Sequence, residues 1–470
     1  MADPPPQLPA GTSSTLRGLS QNLSFHSSPE AFITTKVLEF QRAHPNLINS
    51  RAVVRAKILN RNVAIVSSHA QIQQVLRDRG DGGEPAYTAS EAYDELMAAF
   101  FPSPNLLLAD GMGHAQMREG WEQRMRELPS GLTEVVGEVT KVHLGSVPFD
   151  SEIDLYDWLK TMCWKILLGM FLGLKAEDTE FAEIEQLQEE LLRGQFSLMP
   201  VSINTGVWKS PRKKGITAKE KLQKIIATRL EKQAGACPFA HANTVQLEDV
   251  ANHVLLFTSS LAVKALASLL TAFLLNLFLF PWNDNPGLAS SLDCTDEGDQ
   301  ARILRSILLE TERLSPPIVG VMRRSMRETV ISTPQGEPDI QIPGGWDVWL
   351  YFVGGGRDPV AIGETWDRFV PDRYIDGSVA SSIAFGAGRK TCLGRDLIRD
   401  LALKVATTLI DSGARMDGEI ERPGVKGWLG WVKNDSIDVQ DWAKDMKQLP
   451  TQHPADPVFV RIHSTIGAGS

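Results

Sequence analysis

The sequence predicts a mostly α-helical single domain with a small antiparallel β-sheet. Three observations carry that expectation. Helical apolar periodicity dominates from Ser90 to Glu312. β-rich runs stand towards both ends of the chain, in RAKILNRNVAIVSS (Arg55 to Ser68) and later in ETVIST and PDIQIPGGWDVWLYF. No linker-like run divides the chain after a Pro-rich tail over residues 1–20, so residues 21–470 read as one domain. Pairing of the two β-rich regions would close that domain into one piece.

The tail, MADPPPQLPAGTSSTLRG, has neither a basic n-region nor an apolar h-region, so neither a signal peptide nor an N-terminal anchor is expected. Arg55 to Ser68 reads as a hairpin turning at Asn60-Arg61-Asn62. A loop with a basic cluster, PVSINTGVWKSPRKKG (Pro200 to Gly215), interrupts the helices. Ala265 to Trp282 is uncharged and about as long as a bilayer is thick. With ANHVLLFTSSLAVK before it, this stretch forms one very long apolar helix carrying Lys264. The central helix of a large α-rich protein is apolar all round for its own reason, and burial is the preferred reading over a membrane span. A last helix runs from about Leu393 to Ser412.

Composition narrows the class. Hydrophobic residues make up 43% and charged residues 22%, which excludes a wholly disordered, collagenous or coiled-coil chain. The 57 acidic against 48 basic residues give a net charge of -9, unlike the basic stripe of a nucleic-acid binder. The four cysteines, Cys163, Cys237, Cys294 and Cys392, form no CxxC pair. A reducing, cytoplasmic setting follows, without disulfides or a Cys-built zinc site.

The most informative segment is FGAGRKTCLG, Phe385 to Gly394. Glycines at 386, 388 and 394 bracket a cysteine that opens a helix with an apolar face through Leu397, Leu401 and Val405. A helix N-terminus favours thiolate over thiol. A lone thiolate with donors around its sulfur suits a haem iron as axial ligand. A bare Cys-x-Gly would mean no more than a buried cysteine in a turn; the surrounding pattern says more. The loop resembles FxxGxRxCxG of the cytochrome P-450 (haem-thiolate) family, matching at Phe385, Gly388, Cys392 and Gly394. Lys390 stands where that family usually places Arg or His against a haem propionate. It keeps the charge without the bidentate fork.

Other segments extend the resemblance from about residue 55 to residue 412. LLETERLSPP puts Glu310 and Arg313 in the family's ExxR position, and FVPDRY resembles FxPxRF, making Arg373 the third member of a buried Glu–Arg–Arg network. An i,i+3 pair is by itself usually a solvated salt bridge; the resemblance makes this one structural, not catalytic. GHAQMREGW places His114 and Arg118 on one helical face, similar to WxxxR with His for Trp. RRSMRETVI puts Arg323 and Arg324 at the start of a strand, where alternation lets one face inward, and Arg324 is the choice. The resemblance thus implies a helical domain around a buried haem b. Cys392 would be the iron ligand, with His114, Arg118, Arg324, Lys390 and Phe385 around the cofactor.

The family's central helix carries an acid beside a threonine that relay protons during oxygen activation. In register, Thr258 and Ser259 fall at its Ala-Gly positions, and Leu261, Ala262 and Val263 fill the acid–threonine region. No carboxylate lies between Asp249 and Asp284. Ser259 and Ser260 are therefore the candidate relay, and Lys264 is expected to pair with an acid outside the pocket. Leu255, Phe257, Leu261 and Ala262 imply an apolar pocket for a lipid, terpenoid or polyketide, as in secondary metabolism. The leading expectation is monooxygenase-type oxidation fed by an NADPH-dependent reductase; Arg389, Lys390, Arg395 and Arg399 are either its docking site or a solvated face with propionate duties. The alternatives are a reductase-independent hydroperoxide or endoperoxide isomerase or dehydratase, a peroxygenase, and a non-enzymatic haem protein. A soluble protein is expected, or one touching a membrane peripherally through the loop around Val207 and Trp208.

Overall fold

The computed structural model describes residues 7–9, 11, 20–21, 24–25, 29–43, 53–58, 61–78, 85–126, 132–148, 151–197, 202–205, 208–232, 247–279, 297–333, 337–377, 379–417, 420–422, 435–437, 446–447, 451–454 and 457–463. Cys237, Cys294 and Val207 lie outside them. The first elements are α1 (Pro29–Ala43), β1 (Val54–Ile58), β2 (Arg61–Val66), α2 (His69–Leu76), β3 (Tyr87–Thr88), α3 (Ser90–Met97), α4 (Gly111–Arg126) and α5 (Leu132–Gly145). Next come β4 (Glu152–Asp154), α6 (Leu155–Leu172), α7 (Thr179–Gln195), α8 (Pro211–Lys232), α9 (Leu247–Phe257), α10 (Ser260–Phe278) and α11 (Glu297–Leu314). The last part holds β5 (Gly320–Ser325), β6 (Thr329–Ile331), β7 (Ile340–Ile342), β8 (Asp347–Tyr351), α12 (Phe352–Gly356), α13 (Pro359–Ile362), α14 (Arg395–Asp411), β9 (Arg415–Asp417) and β10 (Phe459–His463).

The two β-rich regions do pair. The main sheet has the order β1-β2-β8-β5-β3. Its β2–β8 ladder is parallel, with Val63 opposite Asp347, whereas an antiparallel sheet was expected. Nearly three hundred residues separate these strands, so no tight turn dictates their direction. A second sheet, β4-β10-β9, ties the C-terminal part to the start of α6. Part of the expected tail is also held: Gln7 bridges Ile340, and its N–H donates to Asp339 O at 2.8 Å.

The helices pack around α10, whose residues from Leu266 to Leu277 are buried on every side. Its neighbours are α6, α7, α11 and α14, which accounts for the lack of charge over that buried stretch without a bilayer. The expected single long helix is in fact two. Ser259 is extended (ψ 150°), and its Oγ accepts from the Ala262 N–H at 3.3 Å, so this residue ends one helix and caps the next. The basic loop also ends earlier than its composition suggests. Pro211 starts α8, and Ser210 Oγ accepts from the Lys213 N–H, so the PRKKG segment is helical. The α7–α8 hairpin crosses at Gly194 and Gly215, where a Cβ on either would lie 2.9–3.0 Å from the other's Cα.

Beneath the cysteine loop, Glu310 is fully buried and binds two arginines. Arg313 donates through Nε at 2.8 Å and through a second guanidinium nitrogen at 2.7 Å, and Arg373 Nε donates at 3.0 and 3.1 Å. The spare guanidinium protons reach the carbonyls of Gly356, Trp366, Arg368 and Thr365. Removing the shared carboxylate strands two buried guanidinium groups. Glu310→Leu is expected to lower unfolding stability by about 3–5 kcal/mol, read from chemical denaturation of the purified protein.

Candidate active site

Cys392 is presented by a loop that only glycine can shape. Gly386 (φ 72°) and Gly388 (φ 67°) are left-handed, and a Cβ at residue 388 would strike the Leu76 carbonyl oxygen. The Cys392 N–H donates to Phe385 O at 2.8 Å, and Gly394 caps α14. Arg118 of α4 reaches across and donates to Thr391 O at 2.5 Å while holding Glu122 at 2.6 Å. The side chain of Cys392 is exposed, and what it faces is a cavity. The enclosing protein pushes its thiol up, opposed first by the Gly394 N–H and then by the Arg118 and Arg395 charges.

That cavity has a volume of about 370 Å³, in the range of small-molecule sites. One wall is Thr391 to Gly394 with Leu397 and Ile398 of α14. Another is Leu256 and Phe257 at the end of α9, Ala262 of α10, and Leu167, Met170 and Phe171 of α6. Of the four residues expected to make the pocket apolar, Phe257 and Ala262 line it. Leu255 is buried in the core, with Leu256 in its place, and Leu261 is not on the lining. Phe385 is not on the lining either; its ring packs in the core beside Arg399.

The polar lining carries three cations, Arg118, Arg323 and Lys390, beside His114, Tyr93 and Thr391. Arg324 is the wrong choice of the two strand arginines. Its Nε donates to Asp347 at 2.8 Å, and that carboxylate also holds Arg61, so Arg324 belongs to the sheet. Arg323, buried at 7% exposure, lines the cavity, and among the described residues its side chain has one hydrogen bond, to the adjacent Met322 carbonyl. The reading that one of the two faces inward holds, and β3 and β8 on either side of β5 decide which. Lys390 is less free than expected. Its ammonium donates to Leu106 O at 3.0 Å and to Ala109 O, and lies 3.4 Å from Asp110. Burial brings its pKa down to about 8. Asp110 in turn accepts from the Ala89 and Ser90 N–H groups at the start of α3. Burial, with Lys390 and Arg118 nearby, takes His114 down to about 4, so its ring is neutral near pH 7.

The candidate relay residues turn away. Ser259 Oγ is the α10 cap, Ser260 Oγ donates to Glu189 at 2.7 Å, and Thr258 Oγ1 donates to Val254 O at 2.7 Å. None of the three lines the cavity. Lys264 pairs with Glu189 at 2.9 Å, an acid outside the pocket as expected. Glu189 arrives from α7, invisible to any reading of the central helix alone. Burial works against its ionisation, but hydrogen bonds from Ser260 and Lys264 hold the carboxyl below its ordinary value.

A cysteine beside a helix N-terminus, facing a largely apolar cavity with a cationic side, is the arrangement that a haem-thiolate enzyme requires. The residues fit that cofactor. Arg323 is a buried guanidinium with an acceptor for only one of its donor groups, which is what a propionate would supply. The family model described as cytochrome P450 matches residues 291–410. Cytochrome P450 90D2 of Oryza sativa subsp. japonica is 24% identical over 402 residues, covering 80% of this chain and 77% of that protein. Cytochrome P450 26A1 of Gallus gallus is 32% identical over 114 residues, covering 23% of this chain and 22% of that one. Among solved structures, a retinoic acid-bound cyanobacterial CYP120A1 has TM-score 0.68 at 18% identity, covering 91% of this chain and 96% of its own. P450BioI, solved with a hexadec-9Z-enoic acid-ligated acyl carrier protein, has TM-score 0.63 at 14% identity, covering 94% and 100%.

The family model, the curated relatives and the structural neighbours together support the cytochrome P450 superfamily for this chain, a family that implies a haem cofactor. Arg323→Met is expected to reduce the haem-to-protein ratio after purification, while Arg324→Met leaves it at the wild-type level.

Proposed function

We propose that this chain oxidises a lipid-, terpenoid- or polyketide-type molecule as a monooxygenase in biosynthetic tailoring. In this reading Cys392 is the iron ligand, and Arg118, Arg323, Lys390 and His114 face the haem carboxylates. The carrying observation is Cys392 open to a largely apolar cavity with a cationic side. When bound, haem on a thiolate supplies oxygen activation or peroxide cleavage. Arg118 and the Phe385 carbonyl hold the loop, and the neutral His114 adds a ring without adding charge. Phe171, Leu256 and Phe257 exclude water and admit an apolar substrate. Two structural relatives that carry retinoic acid and a hexadecenoyl chain support a long apolar substrate.

Among the described lining residues, α6, α9 and α10 contribute no hydroxyl or carboxyl group; the hydroxyls there belong to Tyr93 of α3 and to Thr391. Under the leading reading, protons reach the site through water or a substrate hydroxyl. The same wall supports a second reading, a hydroperoxide isomerase that needs no reductase. Of the four cations expected to dock a reductase, Lys390 and Arg399 are engaged inside the protein; Arg389 and Arg395 remain for that contact. Cumene hydroperoxide separates the two readings. Mostly cumyl alcohol is the expected product, and mostly acetophenone would move the assignment to the isomerase. Cys392→Ala is expected to lose the thiolate-type reduced-CO spectrum.

We also propose a cytoplasmic protein that rests on anionic membrane surfaces. A small hairpin pairing Asn204 with Lys209 presents Ile203 and Trp208 to solvent, and Phe196 is exposed beside it in the chain. From Lys209 to Lys232 nine basic residues face two acidic ones in a chain of net charge -9. Among the described residues only Arg229 of this run is paired with carboxylates. Aromatic and basic residues together suit a bilayer interface. Co-sedimentation with phosphatidylserine vesicles is expected, weakened several-fold by Trp208→Ser with Lys214→Glu and by high salt. Equal binding to phosphatidylcholine alone would overturn the electrostatic part.

A further inference from the structure

The cysteine loop is held from both of its limbs by a second buried ion pair, separate from the Glu310 network. Arg399 stands on α14, two turns beyond Cys392, and forks onto Glu312 of α11. Its Nε donates to Oε1 at 2.8 Å and a terminal nitrogen donates to Oε2 at 2.6 Å. Glu312 has no solvent exposure, and the Arg399 side chain is 13% exposed. Ser382, three residues before Phe385, lines the same small cavity as Glu312. The Arg399 guanidinium also lies over the Phe385 ring, 5.5 Å from its centroid. Phe385 O is the acceptor of the Cys392 N–H.

Glu312 therefore fixes the guanidinium on the helix leaving the loop, and that guanidinium reaches back to Phe385 on the chain entering it. The guanidinium closes the bracket over Phe385. We infer that Arg399 and Glu312 are positioning residues for the Cys392 sulfur, acting through the loop without touching the cofactor. Planarity matters as much as charge, because a lysine could neither fork onto both oxygens nor stack on the ring. Glu312 lies two residues after Glu310 and faces a different partner, so α11 anchors the core through one acid and the thiolate loop through the next.

The inference rests on Cys392 as the haem ligand, and reduced-CO spectra test both separately. If the wild-type protein shows no thiolate-type band, the ligand assignment has failed. Given that band, Arg399→Lys is expected to raise the thiol-type share several-fold at unchanged haem content and unchanged thermal midpoint. The double variant Arg399→Met with Glu312→Met leaves no buried orphan charge. It should fold and show the same rise, since the bracket is lost although the helices still pack. A wild-type band ratio in both variants overturns the inference. So does a rise that only follows loss of haem or of helical signal, since that marks a general packing role.

Discussion

A carboxylate with no access to water underlies the whole arrangement. Glu310 is tolerable inside the protein because two guanidinium groups and the Val370 N–H surround it. Each of those arginines then needs acceptors for its remaining protons, and takes them from backbone carbonyls between Gly356 and Arg368. A stretch with little regular structure is thereby bound to α11. The chain that continues from it carries Phe385 to Gly394, so the ion network is the foundation on which the cysteine loop rests.

Above the loop the constraint is the opposite one, a shortage of polar groups. The central helical stretch is apolar because neighbours cover it on all sides, and its few hydroxyls must find partners. Thr258 bonds its own helix, Ser259 caps the next, and Ser260 takes a carboxylate from α7. Satisfying these groups locally is what leaves the cavity wall to Leu256, Phe257 and Ala262. The missing acid–alcohol pair and the broken helix are two aspects of one packing solution.

The cations follow the same economy of partners. Arg61, Arg324 and Asp347 complete one another at the sheet, and Lys390 is absorbed by Asp110 and two carbonyls. Arg323 keeps free donors at the cavity. Positive charge at the site is thus focused by competition from nearby carboxylates as well as by the number of basic residues.

The sequence by itself determined the class, because the features that define it are local. A glycine-bracketed cysteine opening a helix, an ExxR turn and a following PDR segment are each readable within a dozen residues. Backbone dihedrals and helix spacing act over that range. The hairpin at Arg55 to Ser68 and the apolar core helix were legible for the same reason. The tertiary structure decided everything that depended on which distant group arrived first. Arg323 over Arg324 was settled by Asp347 from another strand, Ser260 was claimed by Glu189 across 71 residues, and Arg399 was drawn inward by Glu312 across 87. The direction of the β2–β8 ladder and the break at Ser259 belong with these. A charge or hydroxyl has no preferred partner in sequence; it takes whichever opposite group the packing of apolar surfaces brings within hydrogen-bond reach.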